Sequence, residues 1–268
     1  MFINPQNISS ALTYSRIVSL VPSQTELLFD LGLEEEVKAI TKFCVHPKVW
    51  YKNKARIGGT KSLKIDIIKK INPDLIIANK EENVKEQVEE LAKNFDVFVT
   101  DINNLHDALE MIKNIGTLTG KKTKASAIAN KIEKEFQKLS EAILTKRKIT
   151  ASYLIWKNPY MAVGGNTFIN DMMQYCGLEN IFSNVERYPE ISLEDLKSSR
   201  SGKRPCELVL LSSEPYRFKE KHLLEIKSEL PLIKIMLVDG EMFSWYGSRL
   251  LKAAEYFKIF QKNIGLIK

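Results

Sequence analysis

Residues 16–33 read RIVSLVPSQTELLFDLGL, and the order of residue types in this stretch decides the fold class. The run 17–21 is apolar or β-branched apart from one serine and predicts a buried strand. Pro22 has no amide hydrogen and is expected to end its pairing. Ser23 is placed to cap a helix over 23–31, with Glu26 at the spacing of a capping box. Gly32 stands where a helix end takes a left-handed residue. A strand that feeds a helix in this way leaves backbone amides facing a crevice, where α/β proteins bind ligands.

The same rhythm continues outward from that stretch. Strands are expected over 37–42, 74–78 and 97–100, and helices over 65–71, 84–93 and 105–115. Alternation of this kind predicts a parallel sheet with helices on both faces. After Thr119-Gly120 one long helix is expected to about residue 146, with Ile128, Ile132, Phe136, Leu139 and Ile143 forming one stripe. At 1.5 Å per residue its roughly 25 residues span about 37 Å, more than one lobe needs, so it reads as a connector. The rhythm then restarts with strands over 150–156, 208–211 and 233–238. Helices are expected over 167–175, 193–198 and 219–230, with a last one from about residue 247. The expected organisation is an α/β lobe over 16–118, a connecting helix over 119–147 and a second α/β lobe over 148–268. The stretches SLKIDIIKKINPDLIIANKEE and SLEDLKSSRSGKRPCELVLLSSEP echo each other, as two pseudo-twofold lobes would.

Composition narrows the function classes. The 268 residues carry 44% hydrophobic and 27% charged side chains, ordinary for a globular protein with a sizeable core. No window reaches the roughly 18 apolar residues of a membrane helix. The net charge of +7 is spread along amphipathic helices, and no motif points to nucleic acid. A mildly positive surface favours an anionic ligand. Cys44, Cys176 and Cys206 lack CxxC spacing and read as unpaired, the last two as small buried residues. Residues 1–15 show no signal region and no lipobox-like cysteine. As written, the chain is expected to be cytoplasmic, or periplasmic or at the cell surface if an export segment precedes it.

The unusual residues fall at strand ends. They are Pro22-Ser23, TKFCVHP (41–47), Gly58-Gly59-Thr60, ANKEEN (78–83), WKNPYMAVGG (156–165), SSEPYRF (212–218) and DGEMFSWYGSR (239–249). Aromatic Phe43, Trp156, Tyr160, Tyr216, Phe243, Trp245 and Tyr246 gather in these loops, where large apolar groups line a cleft or cap a sheet end. Cys44 and His46 supply two metal ligands where zinc needs three or four. His106 and His222 sit on expected helices as surface residues. No nucleophile elbow, phosphate loop, zinc-protease or dinucleotide motif is present. Gly164-Gly165 reads as a turn before Thr167, the cap of the next helix. Adjacent Glu81 and Glu82 point apart and read as solvent-facing.

The segments RIVSLVPSQTELLFDLGL, RIGGTKSLKIDIIKKINPDLIIA (56–78), MAVGGNTFINDMMQYCGLENIF (161–182) and ISLEDL (191–196) resemble, in order and spacing, those of solute-binding proteins of ABC importers. The resemblance is to the cobalamin and iron-chelate group with a helical backbone. It implies two parallel-sheet α/β lobes joined by one rigid helix, little closure on binding, and a ligand cleft between the lobes. It also implies a non-catalytic function: capture of a corrinoid, haem or ferric siderophore. No intrinsic cofactor is implied, the ligand itself carrying cobalt or iron. A carboxylate on each lobe docks on the ABC permease in that family, and the matching residues are Asp66 and Glu194. Cobalamin-binding members place tryptophans where this chain has Thr60 and Asn79, and an aspartate where it has Glu241. Lys80, Trp245 and Arg249 suit an anionic, partly flat chelate. The expected ligand-binding set is thus Pro22, Ser23, Phe43, His46, Thr60, Asn79, Lys80, Trp156, Tyr160, Glu214, Glu241, Trp245, Tyr246 and Arg249. The expected state is a monomer without nucleic-acid partners. The alternative is a cytoplasmic enzyme or metallocofactor chaperone on the same bilobal fold.

Overall fold

The computed structural model describes residues 1–5, 8, 14–197 and 205–268. The chain divides into two compact units, the first comprising Met1–Ile102, His106–Glu133 and Trp245–Leu250, the second Asn103–Leu105, Lys134–Ser244 and Leu251–Lys268.

The first unit begins with β1 (Ile17–Ser19), α1 (Pro22–Asp30), β2 (Val37–Ile40), α2 (Lys48–Asn53) and β3 (Ala55–Arg56). A hairpin of β4 (Gly58–Gly59) and β5 (Ser62–Leu63) precedes α3 (Ile65–Ile71), β6 (Leu75–Asn79), α4 (Lys85–Ala92), β7 (Asp96–Thr100) and α5 (Leu105–Leu118). The sheet has the order β3-β2-β1-β6-β7, every pair parallel. β1 lies between β2 and β6 and is buried throughout, which explains its nearly unbroken apolar run.

The opening motif folds with one correction. Pro22 does not merely end the strand; it is the first residue of α1, with extended Val21 in the cap position and no side-chain cap bond. A proline loses nothing at that position, because its missing N–H would be unpaired there and its fixed φ suits a helix. Ser23 therefore lies inside the first turn and caps nothing, and Thr25 donates its amide to the Val21 carbonyl at 2.9 Å.

α6 (Lys122–Ile143) is 22 residues long, about 33 Å at 1.5 Å per residue, and runs from the first unit into the second at Glu133–Lys134. It is slightly shorter than the sequence implies, and its buried stripe is Ala125, Ala129, Ile132, Phe136 and Leu139. Ile128 and Ile143 are only half-buried. Small residues win the first turns because α5 passes close by: a Cβ on Gly116 would meet that of Ala125 at 2.2 Å.

In the second unit follow β8 (Ile149–Trp156), β9 (Tyr160–Ala162), α7 (Phe168–Tyr175), β10 (Leu178–Asn180), β11 (Glu190–Ile191) and α8 (Glu194–Lys197). They are succeeded by β12 (Leu208–Ser212), α9 (Glu220–Glu229), β13 (Lys234–Val238), α10 (Gly240–Ser244) and α11 (Leu250–Asn263). β8, β12 and β13 form the parallel core of the sheet, with β10 parallel and β9 antiparallel to β8, and β11 on the outer edge of β9. Thr167 caps α7 as expected, its hydroxyl accepting the Asn170 amide at 3.2 Å. Gly164-Gly165 is not a turn. Both amides bond to the carbonyls of Arg187 and Val185, and a Cβ on Gly164 would lie 2.2 Å from the Val185 oxygen. Of the helix expected over 193–198, residue 198 lies outside the described residues. The described part starts with a reciprocal cap, Ser192 and Asp195 each accepting the other's amide.

Candidate functional site

Most of the side chains expected to bind a ligand lie at or beside the carboxyl ends of the strands. In the first unit, residues 245–250 fold onto the start of α1. Gly247, at φ +111, passes so near that a Cβ there would stand 3.2 Å from the Ser23 carbonyl. The approach is held by a buried, bidentate ion pair. Arg249 donates from Nε to Glu26 Oε2 at 2.6 Å and from Nη2 to Glu26 Oε1 at 3.0 Å, with both side chains less than a tenth exposed. The guanidinium carbon also lies 4.6 Å from the centre of the Trp245 ring, and His46 meets that ring edge-on at 5.5 Å. This corner brings together Pro22, Ser23, His46, Trp245, Tyr246 and Arg249. Apart from His46 they are buried.

Glu26 was not expected there. The capping-box reading gave it a partner amide at the helix start, and with Val21 as the cap that partner is gone. Its position beside Leu27 and Leu28, both fully buried, is the signal: a carboxylate on an apolar helix face needs a cationic partner.

A second polar cluster closes the ends of β6 and β7. Asn79 is 2% exposed; its amide nitrogen bonds Thr100 and its carbonyl oxygen accepts the amides of Glu81 and Glu82. Gln24 reaches Thr100 Oγ1 at 2.6 Å, and Asn83 ties the Thr60 carbonyl to the same loop at 3.1 Å. Asn79 and Thr60 are thus parts of the loop's frame. Lys80 points outward and pairs with Asp101 at 2.6 Å. Phe43 is half-exposed, with Lys42 Nζ 5.1 Å from its ring centre. Cys44 is fully buried with its sulfur against the hydroxyls of Thr25 and Thr41, and burial raises its pKa. Among the described residues no group of three or more His, Cys, Asp or Glu is placed to hold a metal ion.

In the second unit the strand ends carry an aromatic cluster. Trp156 is 41% exposed and meets Tyr216 at 5.6 Å, and Tyr216 in turn packs on Phe218 and His222. His222 is not a surface residue: it is 6% exposed and its Nδ1 accepts the Lys219 amide at 3.0 Å, at the entry to α9. That bond puts the proton of the neutral ring on Nε2, 3.4 Å from the Tyr216 hydroxyl. Burial, then the cations Lys157 and Lys221, hold the His222 pKa below its ordinary value. Tyr160 is half-buried, and burial raises its pKa. Lys157 beside it pairs with Glu225. Glu214 accepts the Ser244 hydroxyl, and the Glu241 amide bonds Asp239 Oδ1 at 3.1 Å.

Asp66 and Glu194 each lie exposed in the first turn of a short helix, α3 and α8, where the dipole favours an acid. Glu194 meets Lys197 at 3.0 Å and keeps a side chain 74% exposed.

Comparison with known proteins adds three findings. Residues 17–214 match the family described as periplasmic binding protein. The vitamin B12-binding protein of Vibrio parahaemolyticus is 24% identical over 222 residues, covering 82% of this chain and 78% of that one. Its counterpart from Pectobacterium carotovorum is 24% identical over 246 residues, covering 90% and 86%. Among solved structures, the periplasmic vitamin B12 binding protein BtuF of Vibrio cholerae superposes with a TM-score of 0.76 at 20% identity, covering 94% of this chain and 98% of that one. The periplasmic heme-binding protein RhuT from Roseiflexus does so with 0.77 at 19%, covering 93% and 98%. At these identities the superpositions speak for a shared fold.

Proposed function

The chain belongs to the periplasmic binding protein family, and on that premise we propose that it captures a metal chelate, a corrinoid or an iron complex, for an ABC importer. Membership corrects the expectation of a cytoplasmic protein, since the family is one of periplasmic proteins. It also sets aside the enzyme alternative, because the family binds solutes and does not transform them.

The observation that carries the ligand reading is the match to curated vitamin B12-binding proteins along most of both chains. The geometry supports it with the Trp156–Tyr216 surface, where an exposed ring edge-packed on a second is available for stacking on a flat ligand. Asp66 and Glu194 are the docking acids in this reading. Exposed carboxylates cost little in water and gain charge-assisted bonds when arginines meet them. The working form is a monomer.

Native mass spectrometry of the freshly purified protein with cyanocobalamin, haem and ferric hydroxamates tests the proposal. A one-to-one adduct with a member of the panel is the expected result. Retention of none of them, in a folded protein, contradicts it.

A further inference from the structure

Residues 37–64 contain eight of the chain's 40 lysines and arginines and none of its 33 aspartates and glutamates. The rest of the chain, with 32 cations and 33 acids, comes to −1, so this one segment of the first unit accounts for the whole net charge of +7. The expectation that the charge is spread along amphipathic helices is corrected by that distribution. Elsewhere lysines meet carboxylates, as Lys69 meets Glu90, Lys80 Asp101 and Lys113 Glu110. Of the eight cations in this segment only Lys54 does so among the described residues, with Glu34 at 3.7 Å.

Apolar side chains share the same surface. Phe43, Val45, Val49 and Tyr51 are each at least a third exposed. Lys42 Nζ lies 5.1 Å from the Phe43 ring centre and the Arg56 guanidinium 4.5 Å from that of Tyr51. α2 buries Trp50 alone and leaves Lys48, Val49, Tyr51 and Lys52 exposed. The hairpin of β4 and β5 adjoins the loop before α2, since a Cβ on Gly59 would stand 3.1 Å from Phe43 Cε2 and 3.2 Å from Lys42 Cε. It adds exposed Lys61 and Lys64. The nearby acids lie at the margins. Glu34, Glu35 and Glu36 precede β2, at its amino end, where Glu34 accepts from Trp50 Nε1 and Lys38 donates to the Glu35 carbonyl. Asp66 follows Lys64 by two residues, and Glu81 and Glu82 lie by Lys61, which donates to the Glu81 carbonyl.

We propose that this face of the first unit docks on a bilayer surface rich in anionic phospholipid. Lysines interleaved with exposed apolar side chains suit the boundary between headgroups and acyl chains, where the cations gain from the surface potential and the apolar groups from leaving water. Seven of the eight cations are lysine, which acts as a point charge and sets no fixed hydrogen-bond geometry, and the one arginine is stacked on Tyr51. Val45 and Val49 gain from such a boundary and nothing from a polynucleotide. Attraction to a bilayer requires neither the chelate nor the permease.

Sedimentation of the intact chain with lipid vesicles tests this. Binding is expected to phosphatidylcholine vesicles containing about a third phosphatidylglycerol, and not to pure phosphatidylcholine. It is expected to fall steeply between about 0.05 and about 0.5 M NaCl, as screening strengthens. Neutralising one lysine near such a surface weakens partitioning about fivefold, so Lys48→Gln with Lys52→Gln and Lys64→Gln is expected to lose at least about tenfold. Removing the same number of charges from α6, by Lys122→Gln with Lys131→Gln and Lys134→Gln, is expected to leave binding within about threefold. Val49→Ser with Tyr51→Ser is expected to weaken it several-fold at unchanged charge. Absence of binding to the anionic vesicles overturns the proposal, as do equal losses in the two triple variants. Short duplex DNA that displaces the vesicles, with no loss in the Val49 and Tyr51 variant, overturns it in favour of a nucleic-acid surface.

Discussion

Glu26 and Arg249 make the residue-scale case. Neither is exposed by as much as a tenth of its side chain, so each supplies the hydrogen bonds and counter-charge that the other loses on leaving water. Replacing Arg249 by Met strands a buried carboxylate and is expected to lower the unfolding free energy by about 3–5 kcal/mol. Removing both charges, as in the double variant Glu26→Met with Arg249→Met, is expected to recover most of that loss, since the desolvation cost disappears with the pair. Urea unfolding of the three proteins checks this. A single variant as stable as the parent would mean the pair is not formed. This interaction was half-legible in the sequence. Arg249 stood out as a polar residue in an aromatic loop, but its partner is 223 positions away, and Glu26 had a nearer reading as a cap.

At the scale of elements, helices with their own stop signals were readable and short edge elements were not. The helix Ile65–Ile71 was placed to the residue because Asn72, left-handed at φ 52, ends it before Pro73. The central strands were readable because apolar runs of that length fit only a buried parallel sheet. β9, β10 and β11 span two or three residues each, and α2 and α10 five or six. None is long enough to display a period, and tertiary pairing alone creates them. His222 was misread for a related reason: a polar residue in a lysine- and glutamate-rich helix looks solvent-facing, and its burial comes from rings of the preceding loop. Its pKa is held below the ordinary 6.5, first by burial. The unfolded chain therefore takes up a proton before the folded one does. The contribution is fully present above about pH 6.5 and is lost as pH falls through the lower folded value. Thermal midpoints are expected to fall more steeply below pH 6.5 for the parent than for His222→Gln. Parallel curves for the two proteins would exclude His222 as the source.

For the whole molecule, the docking proposal separates transport from ligand capture. Asp66 and Glu194 are exposed and lie outside the polar clusters described above. Reversing both to Lys is expected to leave folding and ligand affinity within about twofold, because surface charges contribute little to either. Delivery to the permease is expected to fail, since each reversed charge would face an arginine. Unchanged uptake by the double variant would remove these acids from the interface.

The central claim is that the carboxyl-end loops of the strands hold a metal chelate. Hydrogen exchange of the intact chain, with and without the chelate retained in mass spectrometry, tests it most directly. The account predicts new protection in residues 41–47, 79–84, 156–160 and 213–218. Protection confined to other surfaces, with these four loops exchanging as in the ligand-free protein, would contradict it.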